Sequence, residues 1–114
     1  MADKLKDLDI AMLYLNAGVS IKGCFLDLTY DETERMMNIN GLQPMYLAKT
    51  LLNKQLSRGK RSAIVVTSSI AALQPLAGRV VYCAVKSLVT YLSNALFYEV
   101  GDKIDVLSYN PGFV

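Results

Sequence analysis

Ala63-Ile64-Val65-Val66-Thr67-Ser68-Ser69 is an unbroken apolar run of strand length that ends in three hydroxyl side chains. A run with no polar alternation, bounded by turn residues, reads as a strand inside a parallel sheet, covered on both faces. Two segments of the same kind flank it. Asp9-Ile-Ala-Met-Leu-Tyr-Leu-Asn16 precedes it and is also expected to be buried on both faces; Ile104-Asp-Val-Leu-Ser-Tyr109 follows it and is ended by Asn110-Pro111-Gly112.

Long helical patterns separate the three. Thr29 with Glu32 three residues on makes a capping box ahead of Met36, Met37, Ile39, Leu42, Met45, Leu47, Leu51 and Leu52, so a helix is expected from there to about Ser57. Pro44 inside it removes a backbone donor, which predicts a kink near Asn40. After a loop punctuated by Pro75 and Gly78, a second helix is expected over roughly Val80 to Val100, with Gly101 as its C-cap. Its residues Val81, Val85, Leu88, Val89, Leu92, Ala95 and Leu96 spread over more of the circumference than one core-facing stripe needs. Tyr91, Phe97, Tyr98 and the Met36-Met37 pair fall at helical spacing among Leu and Val and read as packing residues.

Strand, helix, strand, helix, strand is the order of an α/β fold. Right-handed crossovers then give a parallel sheet with helices on its faces, and in such sheets ligands bind beyond the carboxyl ends of the strands. Polar candidates collect at those ends: Asn16 after the first strand, Ser69 after the second, Asn110-Pro111-Gly112 after the third, and Tyr82 one loop beyond Ser69.

Composition removes several chemistries. The chain has no histidine, so a Ser-His-Asp or Cys-His nucleophile and any imidazole metal site are out of reach within it. Cys24 and Cys83 are the only thiols and form no Cys-x-x-Cys pair, which indicates neither a metal site nor a disulfide framework and fits structural cysteines in a reducing, cytoplasmic setting. A net charge of +2 with dispersed cations gives no nucleic-acid footprint; the cluster Arg58-Gly59-Lys60-Arg61 reads as a solvated turn. Lys86 and Glu99 interrupt the most apolar region, so no membrane span is expected, and Met-Ala-Asp-Lys-Leu-Lys-Asp at the start lacks a signal-peptide core.

Tyr82-Cys83-Ala84-Val85-Lys86 places a phenol and an ammonium four residues apart on a helix, hence on one face. A free phenol holds its proton too tightly for acid–base work near neutral pH, and a cation one turn along eases its release. With a strand-end hydroxyl from Ser69 beside them, these are the groups a carbonyl-reducing site needs. Alone, Tyr82 and Lys86 are a common coincidence, Ser69 a cap or turn residue, and Asn38 a helix residue bonded to a neighbouring loop.

Taken together, Asn16-Ala17-Gly18, Asn38-Ile39-Asn40-Gly41, Ser68-Ser69, Tyr82-x-x-x-Lys86 and Pro111-Gly112, in that order, make the chain resemble the catalytic half of a short-chain dehydrogenase/reductase. The resemblance implies one partial Rossmann-like domain over residues 1–114, with three strands and two long helices, and an oxidoreductase that interconverts a ketone and a secondary alcohol with NAD or NADP. It makes Tyr82 the proton donor or acceptor, Lys86 its partner and the holder of the nicotinamide ribose, and Ser69 the group that positions the substrate carbonyl. Asn38 would complete a proton relay through a water at the kink. Asn16, Ala17 and Gly18 would floor the cofactor cleft, and Pro111 and Gly112 would pack against the nicotinamide. An apolar substrate, a steroid or a 3-oxoacyl group, is suggested by the residues around Met36-Met37-Asn38.

The family's Gly-rich turn for the pyrophosphate, the residue that selects NAD or NADP, and a substrate lid have no counterpart here, so the chain is expected to be a segment that binds a dinucleotide poorly by itself. Val85 stands where the family often has Ser or Thr. The strand at Asp9 to Asn16 would lack a neighbour, and 53% hydrophobic residues is high for the length, so a homo-oligomer or a partner chain is expected. The competing reading is a non-catalytic remnant or assembly subunit that keeps the half-fold for protein–protein contacts.

Overall fold

The computed structural model describes residue 5 and residues 7–112. Its three strands, β1 (Met12–Leu15), β2 (Ser62–Thr67) and β3 (Ile104–Tyr109), form one parallel sheet in the order β1-β2-β3. Leu15 stands beside Val66, and Val66 beside Ser108, so all three strands end at one edge of the sheet. There the loops are tied together: Thr67 Oγ1 donates to Asn16 Oδ1 at 2.9 Å, the Ser68 amide to the Tyr109 carbonyl at 2.7 Å, and the Ile70 amide to the Pro111 carbonyl at 2.9 Å.

The first long helix is built in three pieces: α1 (Tyr30–Met37), a π-helical turn (Asn38–Leu42) and α2 (Gln43–Ser57). The Thr29–Glu32 capping box is complete, each side chain bonding the other's backbone amide. The expected kink takes the form of the π turn. Pro44 follows it in the first turn of α2, where a missing N–H costs little, and the wider turn relieves its ring against the carbonyls behind it.

The second long helix, α3, runs Val80–Val100 with Gly101 at its C-cap. Gly101 is not left-handed there; its need for glycine is spatial, because a Cβ would collide with the Phe97 carbonyl. The glycine with positive φ at a helix end is instead Gly59, after α2, at 65°. The basic turn around it ties the sheet down, since Arg58 pairs with Asp9 and Arg61 with Asp105.

One expectation is corrected by the packing. Leu13, Leu15, Ile64, Val66, Ile104 and Val106 all point to one face and meet Leu47, Ala48, Leu52 and Leu56 of α2 and Leu88, Val89, Leu96 and Val100 of α3. Both long helices therefore lie on the same side, because two crossovers of one hand that advance in one direction deposit their helices on one face. The other face is bare in the described residues: Met12 is 62% exposed, Leu107 56%, Tyr14 53% and Tyr109 49%. β1 is thus covered on one face and not on two.

A second correction concerns α3. Met36 is fully buried as read, but Tyr91, Phe97 and Tyr98 are exposed, and the Phe97 and Tyr98 rings meet edge to face at 5.8 Å. They lie on the side of α3 turned from the sheet. By length and composition alone α3 could cross a membrane; here its buried residues Val81, Val85, Lys86 and Val89 form the side that packs on the α/β layer.

Candidate active site

Where β2 ends, the sheet edge supplies a rigid frame for α3. Ser68 is 1% exposed; its Oγ donates to the Lys86 carbonyl at 2.8 Å and lies 2.7 Å from Thr90 Oγ1. Ser69, in extended backbone, accepts a hydrogen bond from the Ala71 amide at 3.2 Å and so caps the short 3₁₀ turn Ile70–Ala72. The cap reading and the site reading of Ser69 coexist, since the same residue lines the cleft in front of Tyr82.

Lys86 is 3% exposed, and its Nζ donates to the Thr67 carbonyl at 2.8 Å. It sits 5.6 Å from the centre of the Tyr82 ring. Burial pushes the Lys86 ammonium below its ordinary pKa of 10.5, because the charged form has lost most of its water. An ammonium has three protons to donate, and Thr67 takes one. The rest of its hydrogen-bonding capacity is available to the cleft.

Asn16, Gly18, Ser69, Tyr82, Lys86, Pro111 and Gly112 line that cleft together, joined by Val19, Ser20, Thr67 and Ser68. Its volume of about 270 Å³ lies just under the ~300–1,000 Å³ typical of small-molecule sites. Gly18 is required for the shape: a Cβ there would stand 3.0 Å from Asn40 Oδ1 and 3.5 Å from Lys86 Nζ, filling the space in front of the amine.

Two of the residues singled out in the sequence lie elsewhere. Ala17 lines a neighbouring apolar notch with Tyr14, Ile39 and Pro44. Asn38 opens the π turn, where its carbonyl accepts from the Gln43 amide, and it does not line the cleft. Its neighbour two residues on does more there. Asn40 is 2% exposed and clamps the loop after Gly18, its Oδ1 accepting from the Val19 amide and its Nδ2 donating to the Val19 carbonyl, both at 2.8 Å. Sequence reasoning also passed over the Thr67 carbonyl, which no side-chain pattern announces, and Arg79, three residues ahead of Tyr82.

The sequence profile of the family described as short chain dehydrogenase matches residues 1–114. The chain belongs to the short chain dehydrogenase family. It is 32% identical over 104 residues to D-erythrulose reductase of Gallus gallus, a match covering 90% of this chain and 42% of the relative. It is also 31% identical over 100 residues to L-xylulose reductase of Caenorhabditis elegans, covering 87% and 40%. Among solved structures, the bulky-bulky ketone specific alcohol dehydrogenase of Comamonas testosteroni superposes with a TM-score of 0.90 at 29% identity, over 97% of this chain and 45% of that one. This short chain dehydrogenase chain spans less than half the length of each of these three proteins.

Proposed function

We propose that the protein carrying this chain is an NAD(P)-dependent oxidoreductase that interconverts a ketone and a secondary alcohol, with residues 1–114 as its catalytic half. The observation that carries the reading is the buried Lys86 amine, bonded to the Thr67 carbonyl under the Tyr82 ring, in one cleft with Ser69 and Gly18. A scaffold has no use for an ammonium taken out of water at such cost.

Bound NAD or NADP supplies the hydride in reduction and takes it up in oxidation. In reduction the carbonyl carbon gains that hydride while the Tyr82 hydroxyl gives its proton to the carbonyl oxygen, yielding the secondary alcohol; oxidation runs the same transfers in reverse. Ser69 Oγ donates to the carbonyl and fixes it against the strand end. Lys86 would hold the ribose hydroxyls with the protons that Thr67 leaves free. Asn16 and Gly18 would floor the nicotinamide side, with Ala17 contributing through the backbone between them, and Pro111 and Gly112 would close the other wall. Asn38 relays protons through a water at the π turn.

For the substrate, relatives named as reductases of erythrulose and xylulose support a small ketone, and the family resemblance around Met36-Met37-Asn38 is what suggests a steroid or 3-oxoacyl group. Free Cys24 and Cys83 support a cytoplasmic setting. The test is ketone-dependent oxidation of NADH and NADPH across a panel that includes a ketose, a steroid ketone and a 3-oxoacyl ester. Tyr82→Phe is expected to lower turnover by at least ~100-fold while cofactor still binds. Retention of most activity by that variant defeats the assignment.

A second reading, an assembly subunit or remnant that keeps the half-fold for contacts with a copy of itself or a partner chain, is favoured by the bare sheet face at Met12, Tyr14, Leu107 and Tyr109. It predicts association without any turnover.

A further inference from the structure

We infer that Arg79 selects a substrate that carries a carboxylate a few carbons from its carbonyl, an inference that rests on the oxidoreductase reading above. The cleft has a second lobe, lined by Ser69, Ile70, Ala71, Leu76, Arg79, Tyr82 and Gly112. Ser69, Tyr82 and Gly112 belong to both lobes, so the hydroxyl pair sits at their junction. Lys86 and Gly18 occupy the first lobe, which leaves the second for the body of a substrate whose carbonyl lies on Ser69 and Tyr82.

Arg79 is the one charged side chain lining that second lobe. Its Cζ lies 5.9 Å from the centre of the Tyr82 ring, and its Nη1 donates to Ser20 Oγ at 2.7 Å. Among the described residues no carboxylate pairs with it. A guanidinium offers five N–H donors, and the Ser20 bond uses one while fixing the fork in place. Such a fork matches both oxygens of a carboxylate, and it is already held where an acid end would arrive. α3 adds to the effect. Its first turn has no acidic residue and no side-chain cap, so its positive end is unopposed. Ile70, Ala71 and Leu76 give the carbon chain between the two polar ends an apolar wall.

A simple clamp between Arg79 and the Ser20 loop would explain the 2.7 Å bond and would not distinguish acids from neutral ketones. The two roles are separated with levulinate and levulinamide, which share a carbon skeleton and differ in charge. The wild type is expected to favour levulinate in kcat/KM by at least ~10-fold. Arg79→Met should lower the levulinate value by about 10- to 100-fold, mainly through KM, and the levulinamide value by less than about threefold. Arg79→Lys should keep part of the preference.

Equal losses with both compounds in Arg79→Met, or no preference in the wild type, overturn the inference and leave the oxidoreductase reading standing. Should neither ketone turn over, the oxidoreductase reading is decided by the wider ketone panel above, and calorimetric titration with levulinate decides the matter of Arg79. Binding that is lost in Arg79→Met upholds anion recognition; no binding by the wild type overturns it.

Discussion

The Lys86 ammonium is held by the Thr67 carbonyl at 2.8 Å, so the last residue of β2 fixes the charge that lies beneath Tyr82. The folded chain binds the Lys86 proton less tightly than the unfolded chain does, since burial lowers its pKa from 10.5. The sign follows from linkage: wherever the unfolded state binds more protons, stability rises with pH. The penalty is full below the folded value and is relieved as pH rises through the window between that value and 10.5. Lys86→Met, which loses both the buried charge and the bond to the Thr67 carbonyl, is therefore expected to have a urea midpoint that falls relative to the wild type as pH rises through that alkaline window. It should also lose ketone-dependent NAD(P)H oxidation by at least ~100-fold. Urea midpoints that differ by the same amount at every pH would contradict the burial argument.

Gly41 sits in the π turn where α3 crosses it. A Cβ there would stand 2.7 Å from Val85 Cγ2, and Val85 is fully buried with a stiff, β-branched side chain. Alanine is the better helix former by about 1 kcal/mol, but overpacking of this kind costs roughly 1–3 kcal/mol. Gly41→Ala should lower stability by roughly 1 kcal/mol net, and the double variant with Val85→Ala should lose less than the sum of the two single losses because the colliding methyl is gone. Strictly additive losses in urea denaturation would show that the two residues do not meet.

These residues also show where the sequence was readable. The apolar runs at Ala63–Thr67 and Ile104–Tyr109 and the capping box at Thr29 and Glu32 are local signals, and the parallel sheet with its two long helices follows from their order. Ser69, Tyr82 and Lys86 share a cleft because i,i+4 spacing and strand ends are also local rules. What depended on the partner surface was less legible. Tyr91 and Tyr98 have helical spacing like any core residue, and only the direction of the sheet from α3 leaves them exposed. Nothing in the sequence assigns Asn40 a role of its own, yet it reaches a loop 21 residues away in the chain, which no window of sequence reports.

The bare sheet face gives a prediction about association. Met12, Tyr14, Leu107 and Tyr109 together present apolar surface on the side away from both helices, and β1 has a free edge in the described residues. Surfaces of this kind are covered in stable proteins. Light scattering of the chain alone should show concentration-dependent association, and Leu107→Lys, at an exposed position of that face, should weaken it. A clean monomer across the accessible concentration range would count against it.

Asn38 and Asn40 can be told apart by experiment because their surroundings differ. Asn40 satisfies both backbone groups of Val19 inside the fold, so Asn40→Ala strands a buried N–H and carbonyl, each worth about 1–3 kcal/mol. It should lower stability and, by releasing the loop that carries Gly18, weaken cofactor binding more than it slows turnover at saturating cofactor. Asn38→Ala loses no side-chain hydrogen bond of this kind, and its carbonyl keeps the π turn through the Gln43 amide. If Asn38 relays protons as proposed, its alanine variant should retain stability and cofactor affinity while kcat falls by at least about tenfold, with more of the loss recovered as added buffer carries the proton. A variant with unchanged kcat would remove Asn38 from the chemistry and leave Asn40, through Gly18, as the residue of that helix that matters to the site.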